Sequence, residues 1–136
     1  MVDHRTPTER ELEILKILWA RGEATVREVY EEMSRSAPIV QNTVQAFLRT
    51  MEEKQLVTHR VAGRSFIYRP LVKRDQTNRN LATNLLDRVF DGAIDQMVQS
   101  VISAQQPTTA EIARLEELLQ TAKQNANQNS QKGERS

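Results

Sequence analysis

The stretch QNTVQAFLRTMEEKQLV, Gln41 to Val57, carries side chains suited to one kind of chemistry. Val44, Phe47, Leu48 and Met51 fall at the i, i+3, i+4, i+7 spacing of a helix with one buried face. The opposite face opens with Gln41, Asn42, Thr43 and Gln45 and meets its first charge only at Arg49. An Asn or Gln amide pairs bidentately with adenine N6 and N7. A Thr hydroxyl reaches a base or a phosphate, and Arg prefers guanine O6/N7 or a phosphate. Carboxylates would be repelled by phosphate, and Glu52 and Glu53 come only in the turn that leaves the groove. The face is suited to the major groove of double-stranded DNA. An ordinary solvated helix is the plainer alternative, and the neighbouring elements decide between the two.

Those neighbours have a definite order. Thr6-Pro7-Thr8-Glu9 predicts a helix start, with Thr6 capping, Pro7 in the first helical position and Glu9 closing a capping box. Leu12, Ile14, Leu15, Leu18 and Trp19 form its apolar stripe, and Arg21-Gly22 ends it. Thr25 and Glu28 frame a second helix that buries Val26, Val29, Tyr30 and Met33, and Ser34 to Pro38 breaks it. The third helix is the amide-rich one, with Phe47 in the core. Leu56–Val61 and Ser65–Arg69 then read as two strands joined by Ala62-Gly63-Arg64. Three helices followed by a hairpin with a basic tip is the order of a winged helix-turn-helix, in which the hairpin is the wing. Arg60 and Arg64 at the wing can reach phosphates or the minor groove. His59 is read as a surface strand residue.

Beyond Val72 the pattern becomes helical throughout. Leu81, Leu85, Leu86, Val89 and Phe90 make one stripe, and Ile94, Met97, Val98, Val101 and Ile102 another. After Pro107, Thr108 and Glu111 open a last helix with Ile112, Leu115, Leu118 and Leu119. One chain has too few large residues to bury all of these stripes, so a second copy is expected to cover them. The expected dimerisation residues are Leu85, Val89, Met97, Val98, Val101, Ile102, Leu115 and Leu118. The fold class is mainly α with a small antiparallel β wing. The expected division is a DNA-binding domain over 1–72, dimerisation helices over 73–124 and a disordered polar tail over 125–136.

Composition narrows the function further. The 136 residues contain no cysteine and two histidines, His4 and His59, far apart in sequence. Thiolate metal sites and thiol nucleophiles are excluded, and no metal or cofactor is implied. The four glycines are isolated, so no phosphate-binding loop is present. An enzyme is not expected. Net charge is +1, yet residues 38–75 hold seven Lys/Arg against three Asp/Glu. No apolar run is long enough to span a bilayer and MVDHRTPTERE lacks a signal-peptide core, so a cytoplasmic protein with no membrane binding of its own is expected.

Taken in order, ELEILKILWARGEATVREVYEEM, NTVQAFLRTMEEKQLV and GRSFIYRPLV resemble the penicillinase-repressor family, the group of BlaI, MecI and CopY regulators. The match is close from Thr6 to Val72 and loose to about Leu119. The resemblance implies a bacterial transcriptional repressor that binds an imperfectly palindromic operator as a homodimer. The positions that match the family's recognition helix are Gln41, Asn42, Thr43, Gln45, Ala46 and Arg49. Lys54-Gln55 stands where the family often has Lys-Gly. In the β-lactam branch a membrane sensor-protease pathway cuts the repressor in its dimerisation region, and the matching bond here is Ser100–Val101. The paired Cys-x-Cys motifs of the copper branch are absent. The alternative is a winged-helix regulator whose C-terminal helices bind a small effector.

Overall fold

The computed structural model describes residues 6–134, so His4 and the last two residues of the expected tail lie outside it. The chain divides into two compact units, up to Leu85 and from Leu86.

The first unit begins with α1 (Glu9–Arg21), β1 (Ala24–Thr25), α2 (Val26–Ser34) and α3 (Gln41–Glu53), followed by β2 (Val57–Ala62) and β3 (Ser65–Pro70). The sheet has the order β1-β3-β2 and is antiparallel throughout. This is a winged helix with one element that periodicity did not predict. β1 is only two residues long, too short for any alternation to show, and it lies against Ile67 and Tyr68 of β3. Gly63 opens the wing turn at φ +62°, a conformation glycine adopts without steric cost.

The core joins the three helices to the sheet. Ile14, Leu15 and Leu18 of α1 meet Val29 and Met33 of α2, Val44, Leu48 and Met51 of α3, and Leu56, Val57 and Tyr68. Trp19, Tyr30 and Phe47, expected in the core from their spacing, are only partly buried and pack at its margin. Each fully buried aliphatic side chain contributes about 1.5–3 kcal/mol. Trp19 also donates its indole N–H to the Val72 carbonyl at 2.9 Å, which fastens the chain leaving the wing to α1.

Two capping boxes start α1 and α2. The box on α2 is Thr25 with Glu28, as read from the sequence. Its hydrogen bonds, chiefly from the Thr25 amide, and the Arg21 guanidinium hold the Glu28 carboxyl below its ordinary pKa. The box on α1 is a correction: Thr8 caps and Glu11 closes it, two residues later than Thr6 and Glu9. TPTERE contains both frames, and Glu11 has a second tie that decides the choice. It is buried, and Lys54 beyond the end of α3 donates to both of its oxygens at 2.8 and 3.1 Å. This pair clasps the start of α1 to the end of α3. Just after it, Gln55 takes φ +64°, the left-handed region that glycine enters without steric cost.

α4 (Arg74–Phe90) carries the stripe of Leu81, Leu85, Leu86, Val89 and Phe90. Its first turns belong to the first unit: Thr77 is buried, and Asn84 Nδ2 donates to Thr6 Oγ1 at 3.3 Å. Those contacts carry the unit past Val72, where the sequence reading ends the DNA-binding domain.

In the second unit, α5 (Ile94–Gln105) ends at Gln106, and α6 (Thr109–Glu134) starts from the Thr108–Glu111 box. α6 runs through 125–134, where composition predicts disorder. That stretch contains no proline and a glycine only at Gly133, so nothing in it breaks a helix already begun. Replacing Lys54 with Ala strands a buried carboxylate, and chemical denaturation should show a loss of about 1.5–3 kcal/mol.

Candidate nucleic-acid interface

Burial fixes the rotation of α3. Val44, Leu48 and Met51 have no exposed surface, so Gln41, Asn42, Thr43, Gln45, Ala46 and Arg49 all stand in solvent on one helix. Thr50 is exposed beside them, a residue that sequence reasoning did not single out. The start of α3 is chemically different from the starts of α1 and α2. Its cap is Val40, with no side-chain hydrogen bond, and its first turn holds no acidic residue.

Glu52, near the end of α3, lies 2.7–2.8 Å from His59 Nδ1 across to β2. The His59 ring stacks on Phe66 at 4.3 Å and meets Tyr68 at 5.4 Å. His59 is thus built into the wing's inner face and is half-buried. Tyr68 is pushed above its ordinary pKa, chiefly by burial and further by Glu52, with Arg49 opposing.

The basic residues of 38–75 separate into two groups. Lys54 is committed to Glu11, and Arg60 is held by Glu23, with Nη2 at 2.9 Å and Nε at 3.4 Å from its two oxygens. Hydrogen bonding to Glu23 raises the Arg60 pKa. Arg49, Arg64, Arg69, Lys73 and Arg74 make no ion pair among the described residues. Of the three arginines picked from the sequence for DNA, Arg49 and Arg64 are thus available, and Arg60 is engaged. A pair between residues 37 apart in sequence leaves no local signal for a reader of the chain.

Arg27 is a basic residue the sequence reading passed over. It stands on α2, 78% exposed, and it lines a groove shared with Gln41 and Arg64. The expected dimerisation residues do not line the interface on α3. Leu85 ends the first unit, and the other seven lie in the second, where Val89, Val98, Val101, Ile102 and Leu118 are each at least 41% exposed. Ser100 and Val101 lie together in the middle of α5.

A recognition helix fixed by its core, a preceding helix and an antiparallel wing define a winged helix-turn-helix protein. The profile of the penicillinase repressor family matches residues 7–121, and the chain belongs to that family. It is 26% identical to the penicillinase repressor of Bacillus licheniformis over 116 residues, 85% of this chain and 91% of the relative. It is 19% identical over 109 residues, 80% of this chain, to the methicillin resistance regulatory protein MecI of Mammaliicoccus sciuri, covering 89% of it. A solution structure of the DNA binding domain of the repressor BlaI aligns with a TM-score of 0.49 at 27% identity. That alignment covers 54% of this chain and 90% of the other.

Glu23→Gln releases Arg60 from its ion pair, so on the expectation that Arg60 meets phosphate the substitution should tighten DNA binding and steepen its salt dependence. The expected change in the slope of log K against log salt is about 0.9 per bound copy, read by fluorescence anisotropy. An unchanged slope would mean that Arg60 does not reach the DNA.

Proposed function

We propose that the chain represses transcription by binding a palindromic operator as a homodimer, with α3 in the major groove and the wing on the backbone. The observation that carries this is the exposed Gln41-to-Arg49 face, free of acid, on a member of a repressor family. Asn42 and Gln45 are placed to read adenine, Arg49 to read guanine or hold phosphate, and Ala46 to touch a thymine methyl. Binding there excludes polymerase from the promoter. The bound DNA is expected in the cytoplasm, and no described helix is long and apolar enough to cross a membrane.

Burial supports the homodimer. From Leu86 to Ser130 not one residue is buried, although the helices present Ile94, Val98, Val101, Ile112, Leu118 and Leu119 in amphipathic stripes. Apolar stripes with no interior of their own call for a partner, and an identical chain supplies a complementary one. A hollow of about 490 Å³ between α5 and α6 is lined by Val101, Ile102, Leu115 and Leu118, with Gln105, Glu111 and Arg114 also on its wall. Its apolar lining is also what favours the second reading, a small effector bound by these helices.

Release by a membrane sensor-protease pathway rests on the family resemblance. The bond between Ser100 and Val101 lies within α5. A protease takes an extended strand, so cutting there requires α5 to unfold locally and requires the partner chain to let go.

Genomic DNA recovered on the purified protein at physiological salt should yield a few sharp peaks over a shared palindrome. On that palindrome Asn42→Ala or Arg49→Ala should cost about 1–3 kcal/mol. Diffuse recovery by folded protein, or unchanged affinity in both variants, would remove the assignment. Leu118 is 65% exposed, so Leu118→Glu leaves the protomer's packing intact. It should nonetheless shift sedimentation from dimer to monomer and weaken operator binding by about 100-fold or more, the gain that bivalency supplies.

A further inference from the structure

His59 and Glu52 meet where the wing joins the end of α3. His59 Nδ1 lies 2.8 and 2.7 Å from the two Glu52 oxygens. The two side chains are 28% and 32% exposed, so solvent screens their charges less than those of a surface pair. A carboxylate only accepts hydrogen bonds, so Nδ1 carries a hydrogen whether the ring is neutral or charged. The proton that charges the ring therefore sits on Nε2. Its arrival leaves the contact in place and changes the net charge of the pair from negative to zero. Phe66 stacks on the ring with centroids 4.3 Å apart, which fixes its plane. The other ionisable groups that bear on the pair are Tyr68 of β3, 5.4 Å from the imidazole, and Arg49 of α3. Tyr68 is pushed above its ordinary range, chiefly by burial, and keeps its proton at neutral pH. Arg60 and Arg69 alternate with His59 and Tyr68 along the paired strands and belong to the opposite face of the hairpin.

We propose that DNA binding draws a proton onto His59, so that the Glu52–His59 pair sets the charge of α3 and makes operator affinity depend on pH. The inference rests on the operator-binding reading and adds a regulator to it. Arg49 and Glu52 are three residues apart, hence neighbours on the surface of one helix. Arg49 is the side chain assigned to a guanine or a phosphate. With His59 neutral, the carboxylate beside Arg49 is uncompensated, so it competes with DNA for the guanidinium and repels phosphate. With His59 charged, both effects are cancelled without any change of contact. Imidazole changes charge between about pH 5 and 8, where no ordinary carboxylate, phenol or guanidinium does. The duplex favours the protonated ring, and by reciprocity the protonated ring favours the duplex. The sign follows: affinity is fully present on the acid side of the imidazole range and is lost as rising pH removes the proton.

The test uses the full chain and two duplexes of equal length, one carrying the recovered palindrome and one with the same bases shuffled. Anisotropy titrations at constant ionic strength should show affinity falling about threefold to tenfold per protomer from about pH 5.5 to 8.5. His59→Gln keeps an N–H donor for Glu52 but cannot change charge, so its profile should be flat. His4→Gln removes the chain's other imidazole and should keep the full wild-type dependence. Calorimetry in two buffers of different ionisation enthalpy counts the protons directly. Near neutral pH it should find net uptake for the wild type and His4→Gln and none for His59→Gln, a difference that a merely structural role would not produce. A flat wild-type profile would overturn the proposal. So would a dependence that persists in His59→Gln or disappears in His4→Gln, and the His4→Gln result decides even if His59→Gln does not fold. A wild type that binds both duplexes equally would sink the operator reading instead, and proton uptake would then be judged on either duplex.

Discussion

The complete burial of Val44, Leu48 and Met51 is the constraint on which the remainder of the first unit turns. A helix can rotate about its axis only by exchanging buried for exposed side chains. Exposing even one of these three forfeits about 1.5–3 kcal/mol, a large share of a small domain's stability. The rotation is thereby locked, and with it the direction of Gln41, Asn42, Gln45 and Arg49. The Glu11–Lys54 clasp and the Glu52–His59 contact then fix the far end of the same helix to α1 and to the wing. The proposed reading face needs this rigidity, since turning the helix back by one residue would put Val44 in place of Gln45 and Leu48 in place of Arg49.

Charge is arranged by pairing more than by abundance. The segment 38–75 has an excess of four basic residues, but two of its seven cations are already occupied by carboxylates from elsewhere in the chain. Those two do different work. Lys54 satisfies a buried acid and belongs to the fold. Arg60 meets Glu23 at the surface, where both remain largely in water and salt weakens the contact. Glu23 in that position resembles a phosphate held in reserve, and a polyanion can displace it. The effective positive surface is accordingly narrower than the sequence total suggests, and Arg27, outside the basic segment, adjoins it while itself paired with Glu31 on its own helix.

The sequence made the winged-helix order legible because each of its elements has a local signature. Apolar spacing set α1, α2 and α3, the Thr25–Glu28 and Thr108–Glu111 boxes marked two starts, and Gly63 marked the wing turn. The polar face of α3 was equally legible, since its period is the complement of the buried one. What stayed hidden depends on residues distant in sequence. The α1 cap moved to Thr8 because Glu11 answers to Lys54, 43 residues away, and β1 exists only because β3 lies beside it. His59 looked like an ordinary strand residue because its partners, Glu52 and Phe66, seven residues before and after it, belong to other elements. Arg27 was passed over for the same reason: its groove is assembled from α2, α3 and the wing together.

The second unit poses a different physical question, because its helices lack an interior. Each residue ordered in a helix loses roughly 1–2 kcal/mol of conformational entropy, and isolated helices of this kind are marginal in water. From Leu86 to Ser130 no buried side chain offsets that loss within one protomer. The proposed homodimer supplies the missing burial, so association and the order of α5 and α6 become one equilibrium. Any influence that separates the copies also exposes the α5 backbone, including the Ser100–Val101 bond, to local unfolding. A cut within α5 in turn removes the surface through which the copies hold each other. Dimerisation, helix stability and resistance to proteolysis are then coupled, and a repressor built this way can be switched off irreversibly without any change at its DNA-reading helix.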